Sequence, residues 1–450
     1  MLGRDRPDDA TDVGTRARIV RGTLAHTPRD PFSEGDAALE AWHDGAVAIG
    51  RGGTVLAAGD ADAIMRRHPD LPVQDERGAI ILCGFVDAHV HYPQLPVLGS
   101  MGLTLLDWLE GRTFPHESRF AQAPFARDQA RRFLRLLAAN GTTSAMVFGA
   151  HYAVAMEAFF HEAAASGLRV TSGLVVSDVL VPDALVTTAA QAFEESVFLA
   201  RRWHGVGRLR YAITPRFSLS CSDELLAACG AVREAVPEVA VTSHLNETQA
   251  EVAVVASRFP TARDYLDTYD RHGLVGPRSV FAHDLYPTDR ELQRLAHAGS
   301  SVAHCPSSNQ FIGSGLFPLA RHLAAGVRVA LGTDVGGGTG LSLLGEGLMA
   351  YQGQMLQGAA GEPLTPARLL WLATAAGAGA LGLAEQVGDL LPGRAADLVV
   401  LRPRLGTTLA EVLPLASSLE AALGLLFTLA REDAVAETIV QGETVYRRAA

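Results

Sequence analysis

From Gly84 to Asp334, short apolar runs alternate with longer stretches rich in Ala, Leu and Arg. That alternation commits the chain to parallel strands with helices crossing between them. The candidate strands are IILCGFVDAHVH, TTSAMVFG, LRVTSGLVV, LRYAITPR, VAVTSH, SVFAHD, SVAHC and VRVALGTD. Eight runs are the number that closes a (β/α)₈ barrel. The flanks read differently. From Ile19 to Leu82 the chain carries β-type runs with turn signals between them, and after Leu383 the same texture returns in GDLLPGRAADLVVLRP and ETIVQGETVYRR, where VQGETV reads as a hairpin. The expected organisation is a tail over residues 1–17, a small discontinuous β-rich domain from 18–82 and 385–450, and a catalytic barrel over 83–384.

Composition then narrows the chemistry. All 38 basic residues are Arg, so the chain contains no lysine. Schiff-base and pyridoxal chemistry, phosphate-loop lysines and metal centres bridged by a carboxylated lysine each need a primary amine, and all are excluded. The formal charge of -11 argues against a nucleic-acid or anionic-membrane partner, because both are bound through a basic face. A small soluble substrate is the expectation. Cys83, Cys221, Cys229 and Cys305 follow no CxxC spacing and read as buried thiols in a reducing compartment. The first residues mix Arg and Asp without an apolar core, and later apolar stretches are broken by Glu346, Glu385 and Glu420, so neither a signal peptide nor a membrane span is expected. The cytoplasm is the expected location.

The chemistry-bearing residues gather at strand ends. His89 and His91 lie two apart in FVDAHVH, and the period of a strand puts both side chains on one face. His244 ends VAVTSH, His283 ends SVFAHD and Asp334 ends VALGTD, and barrel active sites are assembled from strand C-termini. Neutral imidazole and carboxylate suit a tetrahedral zinc site that keeps one exchangeable position. Glu247, three residues after His244, can shuttle a proton between attacking water and a ring nitrogen or leaving amine. Its bland alternative is a place in the first turn of a helix, where an acid favours the dipole. Asp334 can combine ligation with taking a proton from the attacking water. The remaining histidines, among them His26, His43, His68, His204 and His322, lack such placement, and His304 on the seventh strand is expected to pack or to support other groups.

GFVDAHVHYPQ, LLDWLEGRTFPHESRF, ITPRFSLSCS, SHLNE, HCPSSNQFIGSGLFPL and LGTDVGGG together resemble the guanine deaminase family of the amidohydrolase superfamily, from about Arg77 to Leu401. The resemblance implies a metal held by His89, His91, His244 and Asp334, proton transfer by Glu247, and activation of water by His283 with Asp334. It implies purine contacts from Gln94, Arg216 and Phe217, joined by Glu247 and His283, and a homodimer. The activity implied is hydrolysis of guanine to xanthine and ammonia. Many barrels of the superfamily hold two metals on a carboxylated lysine at the fourth strand; here that strand ends ITPR, so one Zn²⁺ per chain is expected, with Fe²⁺ an alternative ion. Gln94 supplies both a donor and an acceptor, Arg216 a planar fork of donors, and Phe217 a ring to stack on.

Two other readings remain beside this one. The first is a related mononuclear amidohydrolase acting on an oxidised purine, a pterin or a triazine; the second is a catalytically silent barrel serving as a scaffold. The zinc deaminases built on HxE followed by PCxxC are excluded, since no PCxxC occurs. The segment 92–125 exceeds an ordinary barrel connection and is expected to form a lid or an inter-subunit contact anchored by Trp108 and Phe114.

Overall fold

The computed structural model describes residues 16–449, so all but the end of the expected N-terminal tail lies outside the described residues. The first strands are β1 (Arg18–His26), β2 (Glu40–Ile49), β3 (Val55–Asp60) and β4 (Val73–Cys83). The central ones are β5 (Phe85–His91), β6 (Thr142–Phe148), β7 (Arg169–Gly173), β8 (Val175–Val176), β9 (Leu209–Pro215), β10 (Ala240–Leu245), β11 (Ser279–His283), β12 (Ser301–His304) and β13 (Arg328–Leu331). The last are β14 (Leu398–Leu401), β15 (Val435–Val440) and β16 (Glu443–Arg447).

The central strands form one parallel sheet in the order β13-β12-β11-β10-β9-β7-β6-β5, with the two-residue β8 pairing to β9. Helices cross between neighbours, and the sheet curls until β13 approaches β5. There the Asp334 amide donates to the His89 carbonyl at 2.9 Å. The result is a nearly closed barrel of eight parallel strands, as the alternation of apolar runs predicts. Its strands are buried on both faces, β5 and β6 along their whole length, which is why they read as continuous apolar runs rather than alternating ones.

The two ends of the chain build a second sheet in the order β16-β15-β14-β4-β1-β2-β3. β15 and β16 form the expected hairpin around Gln441 and Gly442, with Val440 opposite Glu443. The run IILCGFVDAHVH is not one strand. Its first part ends β4, where Cys83 faces Leu398 of β14, and its second part is β5, the first barrel strand. Gly84 makes the transition: its amide donates to the Asp397 carbonyl at 2.8 Å, and a Cβ there would lie 2.2 Å from the Thr143 side chain. All four cysteines are buried and unbridged. Among the described residues no helix is long and apolar enough to cross a membrane.

Between β5 and β6 the chain runs through a series of short helical turns: Tyr92–Val97, Leu105–Trp108, Leu109–Thr113, Phe114–Glu117 and Ser118–Ala121. Trp108 and Phe114 are buried, so they do anchor this segment. It lies across the C-terminal mouth of the barrel, where Leu105, Trp108 and Leu109 line the cavity described next.

Candidate active site

The C-terminal ends of the strands surround a cavity lined by His91, Gln94, Arg216, Phe217, His244, Glu247, His283 and Asp334, with Leu105, Trp108, Leu109 and Ile312 as apolar walls. His89 lies just beneath it. Every residue singled out from the sequence is therefore brought to one place.

The innermost shell is set by β5. With side chains alternating along the strand, His89 and His91 point the same way, and their Nε2 atoms stand 3.1 Å apart. His91 Nε2 is 3.2 Å from His244 Nε2 and 3.2 Å from Asp334 Oδ1, while His89 Nε2 is 3.3 Å from the same oxygen. Ligands about 2.1 Å from a tetrahedral ion are separated by about 3.4 Å, so these edges fit one small divalent cation. The ligating atoms of His89, His244, His283 and Asp334 also lie within 4.8 Å of one another. His283 nonetheless stands further out, its Nε2 3.8 Å from Asp334 Oδ2, which places it beside the cluster rather than in it.

Protonation states suit this arrangement. Burial depresses the His91 imidazole to about 3, and burial together with the neighbouring imidazoles holds His244 well below its ordinary value. Both rings are neutral and able to offer a lone pair. His244 Nδ1 lies 2.5 Å from the Arg216 carbonyl oxygen; the carbonyl can only accept, so the proton sits on Nδ1 and Nε2 faces the cluster. Burial would push the Asp334 carboxyl up, but contacts with His89 and His91 outweigh it and hold the group ionised, well below the usual carboxylate range. Burial, Glu251 and Asp334 push Glu247 well above that range. The pocket thus pairs an ionised carboxylate with a protonated one, the separation an acid and a base working side by side require.

Glu247 is not in the first turn of a helix. The helix after β10 spans Gln249–Arg258 with Thr248 as its N-cap, and Glu251 completes a reciprocal capping box. Glu251 Oε2 also accepts the Glu247 amide at 3.0 Å. Because a neighbour serves the helix, the Glu247 carboxyl is free to face the cavity, with Oε2 3.6 Å from His283 Nε2.

Several supporting residues escaped the sequence reading. Asn309 Oδ1 accepts from His283 Nδ1 at 2.8 Å, which turns His283 Nε2 toward Glu247 and Asp334. Asp87, inside FVDAHVH, accepts from the His89 amide at 3.2 Å, the Thr333 amide at 3.0 Å and the Thr333 hydroxyl at 2.5 Å; burial raises it to about 7. It ties the first strand to the residue preceding Asp334. Tyr269 donates to the His244 carbonyl at 2.8 Å. Backbone strain marks the same spots, with positive φ at Asn246, His283, Asp284 and Asp334, as at sites where surrounding structure overrules local preference. His304 stacks on Phe317, ring centroids 4.3 Å apart, in a packing role.

A family profile described as Amidohydrolase family matches residues 80–445. Together with the barrel and its cluster of histidines and aspartate, this defines the class: the chain belongs to the amidohydrolase family. Within the family its relatives include guanine deaminases. It is 55% identical to a probable guanine deaminase of Deinococcus radiodurans, over 96% of this chain and 99% of that protein. The solved structure of E. coli guanine deaminase superposes with a TM-score of 0.92 at 38% identity, covering 96% of this chain and all of that one. A guanine deaminase from C. acetobutylicum, solved with guanine in its active site, superposes with a TM-score of 0.87 at 25% identity over 96% of this chain and all of that one. The family and the donor cluster point to a divalent metal.

Proposed function

We propose that this protein hydrolyses guanine to xanthine and ammonia, using one zinc ion held by His89, His91, His244 and Asp334. The observation that supports the reading best is the joint lining of one cavity by that donor set, by the proton carriers Glu247 and His283, and by Gln94, Arg216 and Phe217. Nothing in a generic metal site calls for the second and third groups together. The relatives named above carry the same activity in their names, and one was solved with guanine bound.

Zinc supplies Lewis acidity and brings the pKa of a bound water toward ~7. The chain's own residues do the rest. Arg216 and Gln94 hold the polar edges of the purine, and Phe217 stacks on its face. Asp334, ionised, and His283, with Nε2 turned to the cavity, are placed to take a proton from the attacking water. Glu247, protonated, gives its proton to a ring nitrogen as oxygen adds to C2; the proton taken from water then passes to the leaving amine, and the proton of the new C2 hydroxyl returns to Glu247 as the carbonyl forms. Water adds, ammonia departs, and atoms balance with no further reactant. Trp108, Leu105 and Leu109 give the site an apolar wall, beside which charge displacements are more strongly felt than in water.

We read the cytoplasm as the location, from the four buried thiols, and purine breakdown as the process. A homodimer fits the exposed Leu98, Met101 and Leu106 on the segment over the site. The deciding experiment is an ultraviolet assay of purified protein with guanine beside metal quantification. Conversion to xanthine with one zinc per chain is expected. Metal-loaded protein that leaves guanine intact but releases ammonia from another amino-heterocycle sinks the substrate assignment.

A further inference from the structure

Glu117 is a carboxylate buried at the mouth of the barrel, 3% exposed, at the end of the short helix Phe114–Glu117. One of its oxygens, Oε2, accepts from Arg216 Nη1 at 2.7 Å. The other, Oε1, accepts from Gln94 Nε2 at 3.0 Å. It touches neither the metal ligands nor Glu247 nor His283. It joins two polar side chains that line the cavity, Arg216 and Gln94, the latter with its Nε2 also 3.1 Å from His91 Nδ1, and it comes from the segment between β5 and β6, whereas Arg216 comes from the end of β9.

Two consequences follow from donor and acceptor rules alone. A guanidinium this deeply buried, at 3% exposure of its side chain, needs a charged partner, and losing one member of such a pair leaves the other stranded. Glu117 thus holds Arg216 in the cavity as a cation with its remaining N–H groups unspent. The second consequence concerns Gln94. A carboxylate can only accept, so the Gln94 amide must turn its NH₂ toward Glu117, and its carbonyl oxygen is the end left for a ligand. A reversed amide would set oxygen against oxygen. Glu117 therefore fixes a polarity pattern: a fork of donors from Arg216 and a lone acceptor from Gln94. His151 packs behind it, its Nδ1 3.4 Å from Oε2, and burial holds that imidazole well below its ordinary value, so no cation competes with Arg216 for the carboxylate.

We infer that Glu117 is a specificity-determining positioning residue, which selects a purine offering a carbonyl acceptor and a ring N–H donor over one carrying the amino group alone. This rests on the guanine reading and deepens it. The reaction still runs on the metal site, Glu247 and His283; what Glu117 sets is which ring is held there.

The test compares the full-length, metal-loaded wild type with E117Q and E117D on guanine and on 2-aminopurine, which keeps the amino group and lacks the carbonyl and its N–H. E117Q is expected to raise KM for guanine by about tenfold or more while kcat falls far less, and to shrink the guanine to 2-aminopurine ratio of kcat/KM by a similar factor, since a misplaced contact group costs on the order of that much. E117D, which keeps the charge, should recover part of both. Unchanged KM and an unchanged ratio in E117Q overturn the inference while leaving the guanine reading intact. If E117Q does not fold, E117D decides: wild-type KM and ratio overturn the inference, and an intermediate shift in both supports it. If the wild type itself ignores guanine, the functional reading has failed, and the crystal structure of E117D judges Glu117 separately: Arg216 and Gln94 in their present orientations overturn the inference, and their displacement supports it.

Discussion

Glu247 and Glu251 are four residues apart, both buried, and divide two tasks that one acid could not combine. Glu251 accepts backbone amides and caps the helix; Glu247, relieved of that, is held protonated by burial and by its acidic neighbours. Replacing Glu247 with Gln keeps the shape and removes the transferable proton. Zinc content should match the wild type and turnover of guanine should fall by at least about 10²-fold; near-normal turnover would remove Glu247 from the chemistry. Asn309 acts one step further back. Its carbonyl fixes which nitrogen of His283 carries the proton, so Asn309→Ala should leave metal content alone and lower kcat by roughly 10–100-fold, as losing the partner of a site imidazole does. Equal kcat in the two proteins would show that His283 needs no such partner. The sequence revealed Glu247 because it follows a strand-end histidine. Asn309 and Glu117 were not legible: Asn309 meets a residue 26 positions away and Glu117 one 99 positions away, and only the closed barrel brings them together.

At the level of elements, periodicity located the barrel strands but not where two sheets divide them. An apolar run carries no mark of which sheet it belongs to, so the end of β4 and the whole of β5 read as one strand; Gly84 was the available signal, a residue whose neighbours leave no room for a Cβ. The terminal sheet has its own point of sensitivity. His26, at the end of β1, accepts the Leu390 amide on Nδ1 at 3.2 Å, joining the N-terminal strand to the returning chain. Burial lowers its pKa to about 4, against about 6.5 for a free imidazole. The unfolded chain therefore takes up a proton at a pH where the folded protein does not. The resulting stability is fully present above about pH 6.5 and is lost as pH falls toward 4, up to about 3 kcal/mol. Urea unfolding of metal-free wild type and His26→Gln, at pH 7.5 and at pH 4.5, checks this. The stability difference between the two proteins should shrink at the lower pH, and parallel losses would exclude His26 as the source.

The whole molecule uses the two ends of its barrel for different purposes, and the absence of lysine touches both. At the C-terminal end the fourth strand closes on Arg216, so no carboxylated lysine is there to bridge two metals. At the opposite end, arginines at the strand starts hold the chain that returns from the barrel to the terminal sheet. Arg169 of β7 pairs with Asp397 through Nε at 2.9 Å, and Arg210 of β9 donates to the Gly382 carbonyl at 3.2 Å. Asp397 also accepts the Gln441 amide at 2.7 Å, and its own carbonyl accepts from Gly84. One aspartate thus holds the start of the barrel, its third strand position and the C-terminal hairpin together. Its side chain is 2% exposed and that of Arg169 10%. Removing one member of such a pair costs about 3–5 kcal/mol, because the other is left buried and uncompensated. Asp397→Ala should therefore lower the thermal midpoint by several degrees, while KM for guanine and metal content stay at wild-type values, the substitution lying at the end of the barrel away from the cavity. A variant as stable as the wild type would mean that Arg169 finds water or another acceptor when Asp397 is gone. A variant that melts normally but loses its metal would mean instead that the terminal sheet shapes the site through the barrel, and that the two ends are coupled rather than separate.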